Sequence, residues 1–220
     1  MKYQAVLFDL DGTLYDNDAV IEAAALEMLH QLLSPQELLQ SIGAVVEHYR
    51  GGDTLDKDGL ATVITRFAPD LDPNLLHECA ELCNQQLDRY RITPDAEVVL
   101  STLEERKIPY GIVTNSEAVQ QVKTELMGLE RRAGCVLVSG VFGADKPDPS
   151  IFLEAARRLG VDPAQILMVG DCPYSDITGA HAAGMHAAFI NTTWEWPEEL
   201  KSSPPEYMLD RLTDLLAILG

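Results

Sequence analysis

Residues 3–13 read YQAVLFDLDGT, an apolar run that stops abruptly at Asp9, Asp11, Gly12 and Thr13. Without polar alternation, Tyr3–Asp9 is expected to be a strand covered on both faces. The same signature recurs at Pro109–Thr114, Cys135–Ser139, Ile166–Gly170 and His186–Ile190. Helical patterns separate the later runs. Thr93-Pro94 offers an N-cap followed by proline at the first helical position, Asp148-Pro149 does the same for SIFLEAARRL, and Gly160 sits where that helix needs a C-terminal cap. Strand and helix alternate from residue 93 to the end, the pattern of a parallel sheet with right-handed crossovers. The expected core is therefore α/β, a doubly wound, Rossmann-like sheet formed by residues 1–14 and 93–220.

Residues 15–92 break the alternation. Ala19–Leu33, Pro35–Tyr49, Lys57–Phe67 and Pro73–Tyr90 all carry helical spacing with no strand signal longer than a few residues. The segment reads as an inserted all-helical cap domain that leaves after the first strand and returns before the second. Placed there, it would sit above the sheet's binding edge as a lid.

Composition limits the partners. The chain has 220 residues, with 35 Asp+Glu against 16 Lys+Arg, a formal charge of −19. Nucleic acid and anionic membranes are polyanions that such a charge repels, so neither is expected. With 46% hydrophobic and 23% charged residues, the acidity does not signal disorder, and a packed core is expected. No run reaches the ~20 apolar residues of a membrane span. The four cysteines, Cys79, Cys83, Cys135 and Cys172, are too few and too dispersed for a disulfide scaffold, so reduced thiols and a cytoplasmic location are expected. His77, Cys79 and Cys83 lack the second ligand pair of a tetrahedral metal site and read as helix packing.

Open parallel sheets place ligands outside the carboxyl ends of their strands. Those ends are polar here: Asp9–Thr13 after strand one, Thr114-Asn115-Ser116 after strand two, Gly170-Asp171 with Ser175-Asp176 after strand four, and Lys146-Pro147-Asp148-Pro149 in the loop after strand three. The ordered set DLDGT, VTNS, KPDPSIF and GDCPYSD resembles the haloacid dehalogenase superfamily of phosphotransferases, in the branch with a helical cap after the first motif. The resemblance spans nearly the whole core, while the cap matches only in being helical.

Carboxylates gathered within a few ångströms repel one another by roughly 4 kcal/mol per close pair at an effective dielectric near 20. A cation offsets that, and hard oxygen ligands suit Mg²⁺. Asp9 and Asp171 are the expected side-chain ligands. The resemblance adds the backbone carbonyl of Asp11, and Asp176 is expected to orient the metal's surroundings. A phosphoryl group is then the natural substrate, and the resemblance implies an aspartyl-phosphate formed at Asp9. Asp11 is the candidate acid for the leaving alcohol and later the base for water; it would have to be protonated near neutral pH, which desolvation beside other carboxylates can supply. Lys146 would balance charge on Asp9 and the phosphoryl oxygens, while Thr114 and the Asn115 amide would donate hydrogen bonds to them. Ser116 reads as the N-cap of EAVQQVKTEL, and no histidine is needed.

Asp11 also narrows the reaction. Halide leaves without a proton, and the dehalogenases of the family lack this aspartate, so dehalogenation is not expected. Phosphonate hydrolysis would, by the same resemblance, need a Schiff-base lysine in the cap. The only lysine there, Lys57, is flanked by Asp56 and Asp58, which favour the ammonium form. A phosphatase for a small phosphorylated metabolite is expected, whether nucleoside monophosphate, sugar phosphate or phosphoglycolate. A phosphomutase and a non-catalytic binding protein are the alternatives. Specificity is expected in the cap, where Arg50, Arg66, Arg89 and Arg91 are the available cations; Arg50 reads as a surface helix end before it reads as a ligand. Both monomer and homodimer fit the sequence. Of Trp194 and Trp196, packing on the core edge is preferred over a dimer contact.

Overall fold

The computed structural model describes residues 2–16, 90–116, 119–190 and 196–220. The helical patterns of the expected cap, its arginines apart from Arg91, and His77, Cys79 and Cys83 lie outside them. Residues 2–16 and those from 91 onward belong to one compact unit.

Among the described residues, six strands form one parallel sheet: β1 (Ala5–Phe8), β2 (Tyr110–Thr114), β3 (Cys135–Val138), β4 (Ile166–Gly170), β5 (His186–Ile190) and β6 (Tyr207–Leu209). Their order is β3-β2-β1-β4-β5-β6, so the chain moves outward from β1 to one edge and then returns to build the other side. β1 is central, with Leu7 in register with Gly111 of β2 and Met168 of β4. The crevice outside its carboxyl end, flanked by β2 and β4, is where such a sheet binds ligands.

The crossovers are α1 (Pro94–Glu105), then α2 (Val119–Leu126) with α3 (Leu129–Arg132), then α4 (Ser139–Phe142) with α5 (Pro149–Leu159), and finally α6 (Thr178–Ala182); α7 (Leu215–Leu219) ends the chain. Alternate residues of a strand point to opposite faces. Ala5 and Leu7 join a core with Ile151, Phe152, Ala155 and Ile177, while Val6 and Phe8, which face the other way, are also fully buried. The sheet is therefore covered on both sides, as unbroken apolar strands require.

Both expected caps form. Thr93 Oγ1 accepts from Ala96 N at 3.2 Å ahead of Pro94, and Asp148 Oδ1 accepts from Ser150 N at 2.8 Å ahead of Pro149. Gly160 closes α5 in the left-handed region at φ 70°. Thr93 N also donates to Leu14 O at 2.9 Å, so the point where the chain leaves the first strand and the point where it re-enters the core are one hydrogen bond apart.

Three details depart from expectation. β1 spans only Ala5–Phe8, within the expected Tyr3–Asp9, and Ser139 opens α4 rather than ending β3. β6 was not expected; it has three residues, too few to show a period, and is held by pairing Tyr207, Met208 and Leu209 with β5. The expected edge packing holds for Trp196, whose ring meets Phe189 edge-on at 5.4 Å, while Trp194 lies outside the described residues. Cys135 and Cys172 are free thiols. No described helix is long and apolar enough to cross a membrane.

Replacing Thr93 with alanine should lower stability by about 1 kcal/mol by exposing the first turn of α1, with Thr93→Ser near wild type. Urea unfolding followed by circular dichroism measures the difference.

Candidate active site

Asp9 is the first residue beyond β1, held there by its N–H donating to Val169 O of β4 at 2.9 Å. The following turn coils tightly: Leu14 N and Tyr15 N both donate to Leu10 O, at 3.0 and 3.1 Å. Gly12 sits in the left-handed region at φ 78°, and a β-carbon there would lie 2.1 Å from Asp171 Oδ2. Only glycine meets both demands. Its bare backbone lets the Asp171 carboxyl reach the turn that carries Asp9 and Asp11.

Beyond β4, residues Pro173–Ile177 form a single turn of π-helix. Cys172 O accepts from Asp176 N at 3.0 Å and from Ile177 N at 3.4 Å. This wider turn folds Asp176 back beneath β4, where Cys172 N donates to its Oδ2 at 3.0 Å. A β-carbon on Gly170 would lie 2.2 Å from that same oxygen. One carboxylate oxygen each of Asp9, Asp171 and Asp176 thus lie within 4.8 Å of one another.

An ammonium sits among them. Lys146 Nζ lies 2.5 Å from Asp9 Oδ1 and 2.6 Å from Asp176 Oδ1, and all three side chains are buried. The Asn115 carboxamide fixes the lysine's backbone, donating to Lys146 O at 2.9 Å and accepting from Lys146 N at 2.7 Å. The Asn115 side chain thereby aims Lys146. Thr114 is buried at the end of β2. Ser139 steadies the loop after it, accepting from Ser116 N at 3.1 Å. The helix Ser116 was expected to cap is described only from Val119.

Burial dominates the electrostatics. It pushes the Asp9 carboxyl up to about 7 even against the attraction of Lys146. Asp171 is held well above the usual carboxylate range, first by burial and then by the charge of Asp9. Burial alone would lower Lys146; Asp176 and Asp9 together outweigh it and raise the lysine above its ordinary value. Among the described residues, one ammonium against three carboxylates leaves an excess of negative charge that a divalent cation would offset. The donor set fits a hard ion such as Mg²⁺. Asp176 is already engaged by Lys146 and Cys172 N, so Asp9 and Asp171 have the oxygens to offer.

Asp11 stands apart from this cluster. Its Oδ2 accepts from Gln120 Nε2 of α2, and its Oδ1 lies 3.9 Å from Lys123 Nζ. Neither Gln120 nor Lys123 was singled out from the sequence. Gln120 carries no charge and matches no motif; its one legible signal is that it lies three residues before Lys123, on one face of a helix that follows a polar strand end. His181 and His186, expected to be uninvolved, both contact Glu206 instead.

Substituting methionine for Lys146 should cost ~3–5 kcal/mol at pH 8, because it strips the partner from two buried carboxylates. The cost should shrink toward pH 5.5, because Asp9, pushed up to about 7 with Lys146 present and higher without it, takes up a proton and loses its charge. Urea unfolding at the two pH values reads the difference.

Residues 3–184 match the model of a family described as haloacid dehalogenase-like hydrolases. The chain is 32% identical to the glyceraldehyde 3-phosphate phosphatase of Methanopyrus kandleri, over 98% of this chain and 97% of that protein. It is 31% identical to the pyrophosphatase PpaX of Bacillus velezensis, over 100% of this chain and 97% of that protein. Among solved structures, the HAD-hydrolase YfnB of Bacillus subtilis, bound to magnesium, shares the fold with a TM-score of 0.79 at 22% identity, each chain covered over 100% of its length. A match over most of the chain, on a sheet whose carboxyl edge gathers the four motifs, establishes that the protein belongs to the haloacid dehalogenase-like hydrolase family.

Proposed function

We propose that the chain is a Mg²⁺-dependent phosphatase that hydrolyses a small phosphomonoester through an aspartyl-phosphate at Asp9. The observation that carries this reading is the placement of Asp9 at the end of the central strand, against Lys146 and beside Asp171. The names of the two relatives support phosphate release, and the magnesium of the YfnB structure supports the choice of ion. Asp11 argues against dehalogenation, because a departing halide needs no acid.

On this reading Asp9 and Asp171 hold the ion by their side chains, with Asp11 contributing its backbone carbonyl. When bound, Mg²⁺ supplies positive charge to the phosphoryl oxygens and to the crowded carboxylates. Asp9 attacks phosphorus, and Lys146 keeps the nucleophile oriented while neutralising negative charge on the transferring group. Thr114 and the Asn115 amide donate hydrogen bonds to the phosphoryl oxygens. Asp11 gives a proton to the leaving alcohol, then draws one from the water that cleaves the phospho-aspartate. Asp176 acts through Lys146, which it grips at 2.6 Å. The segment 15–92 is read as the helical cap that selects the substrate.

Asp9→Asn should abolish Mg²⁺-dependent phosphate release from a phosphomonoester panel that includes glyceraldehyde 3-phosphate, nucleoside monophosphates and phosphoglycolate, with activity down at least ~10⁴-fold. Equal activity in variant and wild type would remove Asp9 as nucleophile. Ion binding should depend on pH in a fixed direction. Because burial holds a proton on Asp9 up to about 7, the ion must displace it, so Mg²⁺ affinity should fall by about tenfold per pH unit for each displaced proton as pH drops below 7. Without metal, the raised Asp9 carboxyl favours the folded chain at low pH and loses that contribution as pH rises through about 7. Mg²⁺ should therefore raise Tm more at pH 8 than at pH 5.5. Titration calorimetry in two buffers of different ionisation enthalpy counts the released protons.

A further inference from the structure

Gln120 is only 1% exposed, yet its Oε1 is buried without a hydrogen-bond partner among the described residues. An unmade hydrogen bond of this kind costs ~1–3 kcal/mol, which an apolar side chain of similar size would avoid. The amide's value therefore lies in its two N–H groups. Nε2 donates to Asp11 Oδ2 and lies 3.4 Å from Thr114 Oγ1. A hydroxyl that accepts from Gln120 turns its own proton elsewhere. With Oδ2 engaged, the other oxygen of Asp11 is left: Oδ1 is buried, has no hydrogen-bond partner among the described residues, and has Lys123 Nζ at 3.9 Å. A single buried amide thus touches both the proposed acid and a proposed phosphoryl donor.

We propose that Gln120 is a positioning residue for phosphoryl transfer. It anchors Asp11 by Oδ2 so that Oδ1 is the atom that delivers the proton, and it directs the Thr114 hydroxyl proton toward the substrate. In the step it supports, an Asp9 carboxylate oxygen bonds to phosphorus as the ester O–P bond breaks. The electron pair of that bond goes to the ester oxygen, which takes the proton from Asp11 Oδ1. The products are a neutral alcohol, phospho-Asp9 and an ionised Asp11. This assignment rests on the reading of Asp11 as the acid, and it makes the demand on Gln120 depend on the leaving group.

The test uses the full chain with Mg²⁺ and compares kcat/KM for two phosphomonoesters. p-Nitrophenyl phosphate releases a stable phenolate that needs no proton; glycerol 2-phosphate releases an alkoxide that does. Gln120→Met keeps the length and removes both N–H donors. It should lower kcat/KM about 100-fold for glycerol 2-phosphate and about 5-fold for p-nitrophenyl phosphate, the smaller loss coming through Thr114. Gln120→Leu also removes the donors, with a different shape, and should give the same split. The ratio of the two substrates is internal to each preparation, so partial misfolding does not alter it. Asp11→Asn must show a split at least as large. If it does and both Gln120 variants lose the two activities in equal proportion, Gln120 only packs and the proposal is overturned. If Asp11→Asn itself treats the two substrates alike, the acid reading is the one that fails.

Discussion

A lone ammonium wedged between two carboxylates, in a place water barely reaches, is the constraint around which this sheet edge is organised. Lys146 lies within 2.6 Å of both Asp9 and Asp176, with Asp171 close by. Buried charges of this kind are costly, and their mutual attraction repays the desolvation only when the geometry is exact enough and the spare lone pairs are satisfied. The backbone supplies that geometry. Two positions without a β-carbon, Gly12 and Gly170, let carboxyls approach where any side chain would collide, and the π-turn at Pro173–Ile177 carries Asp176 back to the lysine. The edge is thus built for charge density at some expense of stability, as sites prepared for a cation often are.

The two aspartates of the DLDGT turn illustrate how neighbours divide labour. Asp9 faces the lysine and the other carboxylates. Asp11, two residues on, faces an amide and the side chain of Lys123 on α2. A nucleophile wants its oxygens oriented and charge-balanced; a proton donor wants one oxygen anchored and the other free. The surroundings of each residue match the task proposed for it, and they come from different crossovers of the sheet: α2 for Asp11, and the loops before α5 and after β4 for Asp9.

The parts of this arrangement that were legible in the amino-acid order share one property: they are charged groups at the ends of apolar runs or in the loops that follow them. Asp9, Lys146, Asp171 and Asp176 stand out because ionisable residues have no reason to recur at strand ends by packing alone. Thr93-Pro94 and Asp148-Pro149 were legible because capping is local chemistry. What was hidden depends on distant partners. Three residues of β6 have no period to detect and become a strand only beside β5. Gln120 is neutral, and its importance arises from Asp11, 109 residues away. Asn115 could be placed at the correct strand end, but nothing along the chain says that its side chain also holds the backbone of Lys146.

The hydrogen bond from Thr93 N to Leu14 O has a consequence for ancestry. Because the core closes on itself across that contact, whatever lies between these two residues enters as a side loop whose ends are already pinned. The sheet pays almost the same entropy whether the intervening stretch is short or long. Selection can therefore exchange the segment wholesale while the charged edge of the sheet keeps its chemistry.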